Sequence, residues 1–448
     1  MFNKPLTTSI KTPAKKQLAI ATAVMVPLLG FSLPAFSASG TDLEKKVAQL
    51  EAELENLKKL VSSQAEEQKK TTELISKQPI LSKGTTFSYG GFIKADSMWS
   101  EYSDTQRAGA SVGDDFLVPS QVAVGNGDGG GDAYFDAHAK NSRLWFKTVS
   151  STSAGDVTGY IEMDFNSSAD ERITNQASTG LRHVFLKWDY SDTGSLLAGQ
   201  TWSTFFNTGA LPETVDFVGP TSGTLFNRQF QVRWTKKLSN GGSVMLAAEN
   251  PSSGFNNGGG GVDGSNFDDN TMPDVVARYN GSAGNFSYSA AAVFREIAYD
   301  TGTMDESKTG AAISLSGKYS FDNGDDIKFM VNHGNLGRYI ALNAFRDGVV
   351  EADGDIDLID VTGGFIAYKH NWNSKLRSTF SYAMAEADNP DSALSDLTET
   401  VSNYNVNLMY SPTKSLTFGA EYIHAEREVE SGLDGDLDRF QLMGKWAF

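Results

Sequence analysis

The sequence has no cysteine, which excludes a disulfide framework, thiol chemistry and cysteine-ligated metals. Histidine is also sparse. His138, His183, His333, His370 and His424 lie far apart and form no paired metal-ligand spacing such as H-E-x-x-H. No G-x-S-x-G or equivalent nucleophile motif is present. Proline is scarce, 12 residues against 44 glycines, a balance that suits turn-rich β-structure better than disorder. Basic residues are outnumbered, 38 to 55, which disfavours nucleic acid as a partner. Beyond the N-terminus no apolar run is long enough for a spanning helix. Two classes survive these absences: a soluble exported protein, or a membrane barrel whose alternating strands look polar on average.

What is present begins with an export signal. Lys4, Lys11, Lys15 and Lys16 precede any acidic residue, an apolar run extends from Leu18 to Leu33, and the small-residue site Ala35-Phe36-Ser37 follows. This order describes a cleavable secretion signal over residues 1–37. A transmembrane anchor is the other reading, but the run contains Pro27 and falls short of the ~20 apolar residues a spanning helix needs. Loss of the four lysines takes the net charge from −17 to −21.

Residues 38–70 carry a heptad seam: Leu43, Val47, Leu50, Leu54, Leu57 and Val61, with Glu44, Lys45, Glu51, Glu55 and Lys58 on the other faces. One helix over 42–70 would reach ~43 Å. A seam so exposed requires partner helices, so the chain is expected to oligomerise through a coiled coil. A single helix lying on the domain is the alternative, and the a/d choices do not distinguish dimer from trimer. Residues 71–86, with Pro79 and Gly84, read as a linker.

From 87 to 448 the pattern changes to period two. Sixteen strands are expected near 87–101, 134–149, 156–166, 179–190, 195–205, 225–237, 243–250, 274–280, 285–297, 309–320, 325–333, 362–371, 375–387, 401–411, 415–427 and 438–448. Tyr404, Val406, Leu408 and Tyr410 oppose Asn403, Asn405 and Asn407, and Phe440, Leu442, Trp446 and Phe448 oppose Arg439, Gln441 and Lys445. Short turns, such as SDTG at 191–194 and NGSAG at 280–284, alternate with long polar segments at 102–133, 206–224, 251–273 and 334–361. A soluble sandwich has no reason to alternate loop lengths; a Gram-negative outer-membrane barrel does, with turns in the periplasm and long loops outside. An even strand count returns both ends to the periplasm, where the helix would lie. The fold class is therefore an all-β transmembrane barrel of about 16 antiparallel strands with a short N-terminal helical coiled coil. Tyr89, Tyr190, Tyr279, Tyr319, Tyr410 and Trp446 stand near strand ends as interface girdles do. A sixteen-stranded ring is too wide to be filled by side chains, so its lumen holds water.

With polar faces inward, Arg143, Arg182, Arg233, Arg278, Arg295, Arg377 and Arg439 fall on the lumen side, joined by Lys94, Lys147 and Lys445. Arginine on the lipid face at mid-depth would cost ~2–4 kcal/mol. Its planar donor fork suits carboxylates and phosphates, and rings of such side chains bias a pore toward anions. The competing reading is a structural ladder paired with Asp96, Glu162, Asp164, Glu249 and Glu421. The segment 206–224 is the strongest candidate for a constriction loop, with Glu213 and Asp216 set against the basic wall; an external cap is the alternative. His183 and His424 sit on the apolar parity of their strands, which points to girdle or subunit-interface roles. Acidic tips at 127–132 and 353–355 lack the full calcium-loop pattern and read as solvated loops. No cofactor, metal or catalytic residue is expected.

Several motifs together resemble the DcaP-like outer-membrane porins. They are LAGQTWSTF (197–205), LPETVDF (211–217), RQFQVRW (228–234), AENP (248–251) and YGGFIKAD (89–96), with the terminal Phe448. The resemblance implies a homotrimer of sixteen-stranded barrels with joined periplasmic helices. It also implies uptake of small anions, dicarboxylates and aromatic acids among them, through an arginine-bearing constriction. By motif position that role falls on Arg233, and on Arg228 as well, although Arg228 shares the parity of Phe230 and Phe230 replaces an expected proline. Expected partners are small anionic solutes, outer-membrane lipids and lipopolysaccharide, and the barrel-assembly machinery through Phe448. Two other classes compete with a passive channel: a structural barrel tethering the outer membrane to the cell wall through its coiled coil, and a barrel-embedded hydrolase.

Overall fold

The computed structural model describes residues 52, 55, 58, 59, 84–104, 112–125, 133–167, 177–258 and 270–448. The chain divides into two units, Met1–Lys77 and Gln78–Phe448. In the first, Ala52, Glu55, Lys58 and Lys59 are helical and exposed. The secretion signal, all six residues of the heptad seam and most of the linker lie outside the described residues.

The second unit is a closed antiparallel barrel of sixteen staves. They are β1 (Thr85–Tyr102), β2 (in two pieces, Ala133–His138 and Arg143–Thr152), β3 (Gly155–Ser167), β4 (Ser178–Asp189), β5 (Gly194–Trp202), β6 (Arg228–Lys237), β7 (Ser243–Glu249) and β8 (Asp274–Ala283). The ring continues with β9 (Phe286–Asp300), β10 (Asp305–Ser320), β11 (Asp326–Gly334), β12 (Asp360–Asn371), β13 (Leu376–Asp388), β14 (Thr398–Tyr410), β15 (Leu416–Val429) and β16 (Asp434–Ala447). Each stave pairs with its neighbours in sequence, and β16 closes on β1 in a register running from Phe92↔Ala447 to Tyr102↔Leu437. Closure removes every strand edge, as a sheet in hydrocarbon requires.

The faces are inverted relative to a soluble protein. On β14, Val406, Leu408 and Tyr410 are exposed while Asn403, Asn405 and Asn407 are buried; on β13, Phe380, Tyr382 and Met384 are exposed while Thr379 and Ser381 are buried. Such a surface is stable only against lipid, whose tails replace water around the apolar side chains. At one end the connections are tight. Gly284, at φ +57°, takes the first central position of the two-residue turn between β8 and β9, where a positive φ is required. At the other end the loops are long, and strands Phe255–Gly258, Gly348–Glu351 and Ile356–Leu358 form a separate three-stranded sheet there.

Two irregularities shape the lumen. β2, expected as one run, breaks at 139–142, where Asn141 and Ser142 turn inward to bond Asp96 (3.2 Å) and the Lys94 backbone (3.0 Å). Between β3 and β4 the register shifts from Glu162↔His183 to Met163↔Leu181, leaving Arg182 as an extra residue. Val184 and Leu186 remain exposed on the outside. This bulge brings Arg182 and His183 inward together, so His183 leaves the apolar parity read from its strand and is 5% exposed.

Candidate functional site

The segment between β5 and β6 folds into the lumen and sweeps along its wall. Arg278 on β8 holds the root, donating to Phe206 O (2.8 Å) and Asn207 Oδ1 (2.9 Å). Asn207 donates to Ser316 on β10 (2.9 Å), and Lys328 on β11 donates to Leu211 O (2.5 Å). Arg377 on β13 grips Glu213 with two donors, Nε at 2.6 Å and Nη2. Asn407 on β14 donates to Glu213 O (3.0 Å). The Glu421 carboxylate on β15 accepts the Val215 and Asp216 N–H groups at 3.0 and 2.9 Å, and Lys94 on β1 donates to Val215 O (2.8 Å). Asp216 is buried, and its oxygens accept the Leu117, Val218 and Gly219 N–H groups. The loop is thus an infolded strap and not an external cap.

Four of the lumen arginines are engaged in holding loops. Arg278 and Arg377 hold this strap. Arg295, on β9, is fully buried among Asp347, Asp274 (3.5 Å) and Ser252 O (2.9 Å). Arg439 on β16 donates to Ser100 Oγ (2.8 Å) and Gly113 O (2.6 Å). Glu213 and Asp216 are likewise absorbed by Arg377 and by backbone donors. Loop residues with obligatory backbone polar groups need such partners once they leave water.

Three other arginines converge on the wall that the strap leaves open. Arg182 donates to Glu162 (2.8 Å) and Asp164 (2.5 Å), and its Nη2 has no partner. Arg143 reaches Glu162 at 3.9 Å and leaves Nε unpaired. Arg228 makes no hydrogen bond or ion pair among the described residues; its guanidinium lies 4.9 Å from the Trp202 ring and 6.0 Å from Phe226. It is the first residue of β6, paired with Trp202 at the end of the ladder, and its side chain departs there from the outward parity of Phe230 and Val232. Phe217, carried in by the strap, stands 5.3 Å from both Arg143 and Arg182. His183 packs edge-on to Trp202 and bonds Thr201 (3.1 Å). Arg182, Arg228, Phe116, Phe217 and Phe226 line a cavity of about 350 Å³.

Three cations face two acids here, Glu162 and Asp164, so the site carries surplus positive charge around a planar apolar wall. Arg233 lies elsewhere, lining a cavity of about 630 Å³ with Lys187 and Lys237 toward the tight-turn end. Sequence reasoning did not single out Trp202, Phe217 or Phe226 for this site. The one available signal was aromatic residues clustered in a segment too irregular to be strand.

A sixteen-stranded barrel with an infolded loop and a charged, water-accessible bore defines the outer-membrane channels of the porin fold. The chain matches the model of the DcaP outer membrane protein family over residues 43–448, and it belongs to that family. Among solved structures it is similar to the outer membrane channel DcaP of Acinetobacter baumannii, at 23% identity and TM-score 0.69, covering 83% of this chain and 99% of that one. It is also similar to OmpF of Salmonella typhi in complex with daunomycin, at 12% identity and TM-score 0.53, over 82% and 100% of the two chains. At these identities the likeness is one of fold. No curated protein sequence matches.

Proposed function

We propose that the barrel is a water-filled pore for passive diffusion of small hydrophilic solutes across the outer membrane, favouring anions such as dicarboxylates. The selecting group is Arg143, Arg182 and Arg228. The unpaired Arg228 guanidinium, held against Trp202 beside two further arginines, carries this reading. Arg228 is half-buried, and the Nη1 of its donor fork, shielded and without a partner, is costly to leave so unless a ligand or water satisfies it. A carboxylate accepts from such a fork in a bidentate manner, while Phe217 and Phe226 offer their faces to a flat carbon frame. Arg233 stands nearer the periplasm, in a cavity where Lys187 and Lys237 are balanced by Asp156, Asp189 and Asp192, so it adds little to the selection. In this reading the chain is a homotrimer with N-terminal coiled-coil helices in the periplasm, and Phe448 serves barrel assembly.

Liposome swelling with purified protein tests the proposal. Succinate is expected to enter faster than neutral solutes of its size and faster than cationic amino acids. Equal entry of all three, or fastest entry of the cations, overturns it.

A further inference from the structure

A second cavity adjoins the arginine site on the long-loop side. It measures about 410 Å³ and includes Ser253, Arg338, Asn343 and Arg346 in its lining. It shares Phe226, Asn227 and Leu342 with the first, so these three residues form the boundary between the two spaces. Charge balance is similar on both sides. Around the outer cavity, Asp274 and Asp347 pair with the buried Arg295, and Asp274 also pairs with Arg338 (3.3 Å). Arg346 makes no hydrogen bond or ion pair among the described residues, which leaves it the surplus cation, as Arg228 is within.

The boundary has an unusual backbone. Ala341, Leu342 and Asn343 have φ of +51°, +54° and +65°, three consecutive non-glycine residues in the left-handed region. That conformation is disfavoured for L-residues and persists only where surroundings enforce it. Here the infolded strap enforces it: Phe226 N–H donates to Tyr339 O (2.9 Å) and Ala341 N–H to Thr224 O (3.1 Å). The strap that builds the inner site therefore also sets Leu342 at the threshold.

We propose that Arg346, with Asn343 beside it, is an outer docking station for the carboxylate of an entering solute, which then passes Leu342 to reach Arg228. The inference rests on the anion-channel reading and adds a second binding site to it. Two surplus cations in adjoining cavities let one carboxylate engage ahead before the other disengages behind, so a dicarboxylate crosses the threshold without losing all compensation.

The test uses full-length protein in planar bilayers at low salt, with benzene-1,3,5-tricarboxylate as the blocking anion added to one side at a time. In Arg346→Gln the blocker's association rate from the long-loop side should fall about fivefold, while the rate from the tight-turn side is unchanged. Arg346→Glu should lower it further, and the difference should vanish at high salt. Arg346 is half-buried and unpaired, so both variants should fold, which single-channel conductance in KCl verifies. Unchanged association in both variants, or equal losses from both sides, overturns the outer station. If the wild-type pore prefers anions and the variants behave as wild type, only this inference falls; if the wild type prefers cations, both readings fall.

Discussion

The lumen wall divides into two regions that begin with the same residue type and end with different roles. On β8, β9, β13 and β16, arginines are covered by loops and bind them: Arg278 and Arg377 hold the strap, while Arg295 and Arg439 hold the loops above. On β2, β4 and β6, no loop carbonyl or carboxylate among the described residues takes the arginines: Arg143 and Arg182 face Glu162 and Asp164 on the neighbouring stave, and Arg228 lies against Trp202. Inward parity alone does not make an arginine selective. In the proposed reading, what decides is whether the arginine's donors are spent on an infolded loop or stand in a cluster where cations outnumber acids.

Removing one residue from each region should separate these roles. The largest expected effect is on stability. Arg295→Ala leaves Asp274 and Asp347 buried without their main partner and should cost about 3–5 kcal/mol, read as a lower urea midpoint of the lipid-inserted barrel with ion selectivity retained in the folded fraction. Next, Arg182→Gln combined with Arg228→Gln should slow succinate entry about tenfold, a loss of about 1.4 kcal/mol; Arg228→Gln alone, which breaks no ion pair, should slow entry with urea resistance little changed. Comparable loss of flux in an Arg377→Ala variant would erase the proposed division. A smaller effect is expected from Phe217→Ala, which should slow a flat aromatic acid about threefold relative to succinate, since one aromatic contact contributes roughly 0.5–1.5 kcal/mol.

The smallest effect concerns pH. Burial raises the Glu213 carboxyl, but the hydrogen bond and charge of Arg377 outweigh it, and the net shift lies below the ordinary 4.5. A depressed carboxyl stabilises the folded arrangement above its unfolded value and loses that contribution as pH falls through the folded one. The strap should therefore stay tethered at pH 4.5 and above, and loosen only in more acidic solution, seen as rising open-channel noise. Glu213→Gln should be noisy at every pH.

Much of the barrel was legible in the sequence because its signal repeats. Alternation such as Val406, Leu408, Tyr410 against Asn403, Asn405, Asn407 occurs on stave after stave, and every expected strand corresponds to a stave. The broken β2 was not legible, since Asn141 and Ser142 turn inward to satisfy Lys94 and Asp96 on another strand. The site was read only in part. Arg143, Arg182 and Arg228 were among the expected residues, yet nothing in local pattern separated them from Arg278 or Arg377. That separation depends on where the 206–224 segment lies in three dimensions. The bulge beside Arg182 was equally hidden, because one extra residue reverses parity without leaving a mark in composition. Arg338, Arg346 and Leu342 drew no notice in a long polar loop.

Ion selectivity in an asymmetric KCl gradient tests the central claim most directly. The account predicts a reversal potential of the anion-preferring sign for the wild-type pore, collapsing toward zero when Arg182 and Arg228 are both replaced by glutamine and persisting when Arg377 is replaced by alanine. A cation-preferring wild type, or a double variant that keeps the wild-type potential, contradicts it.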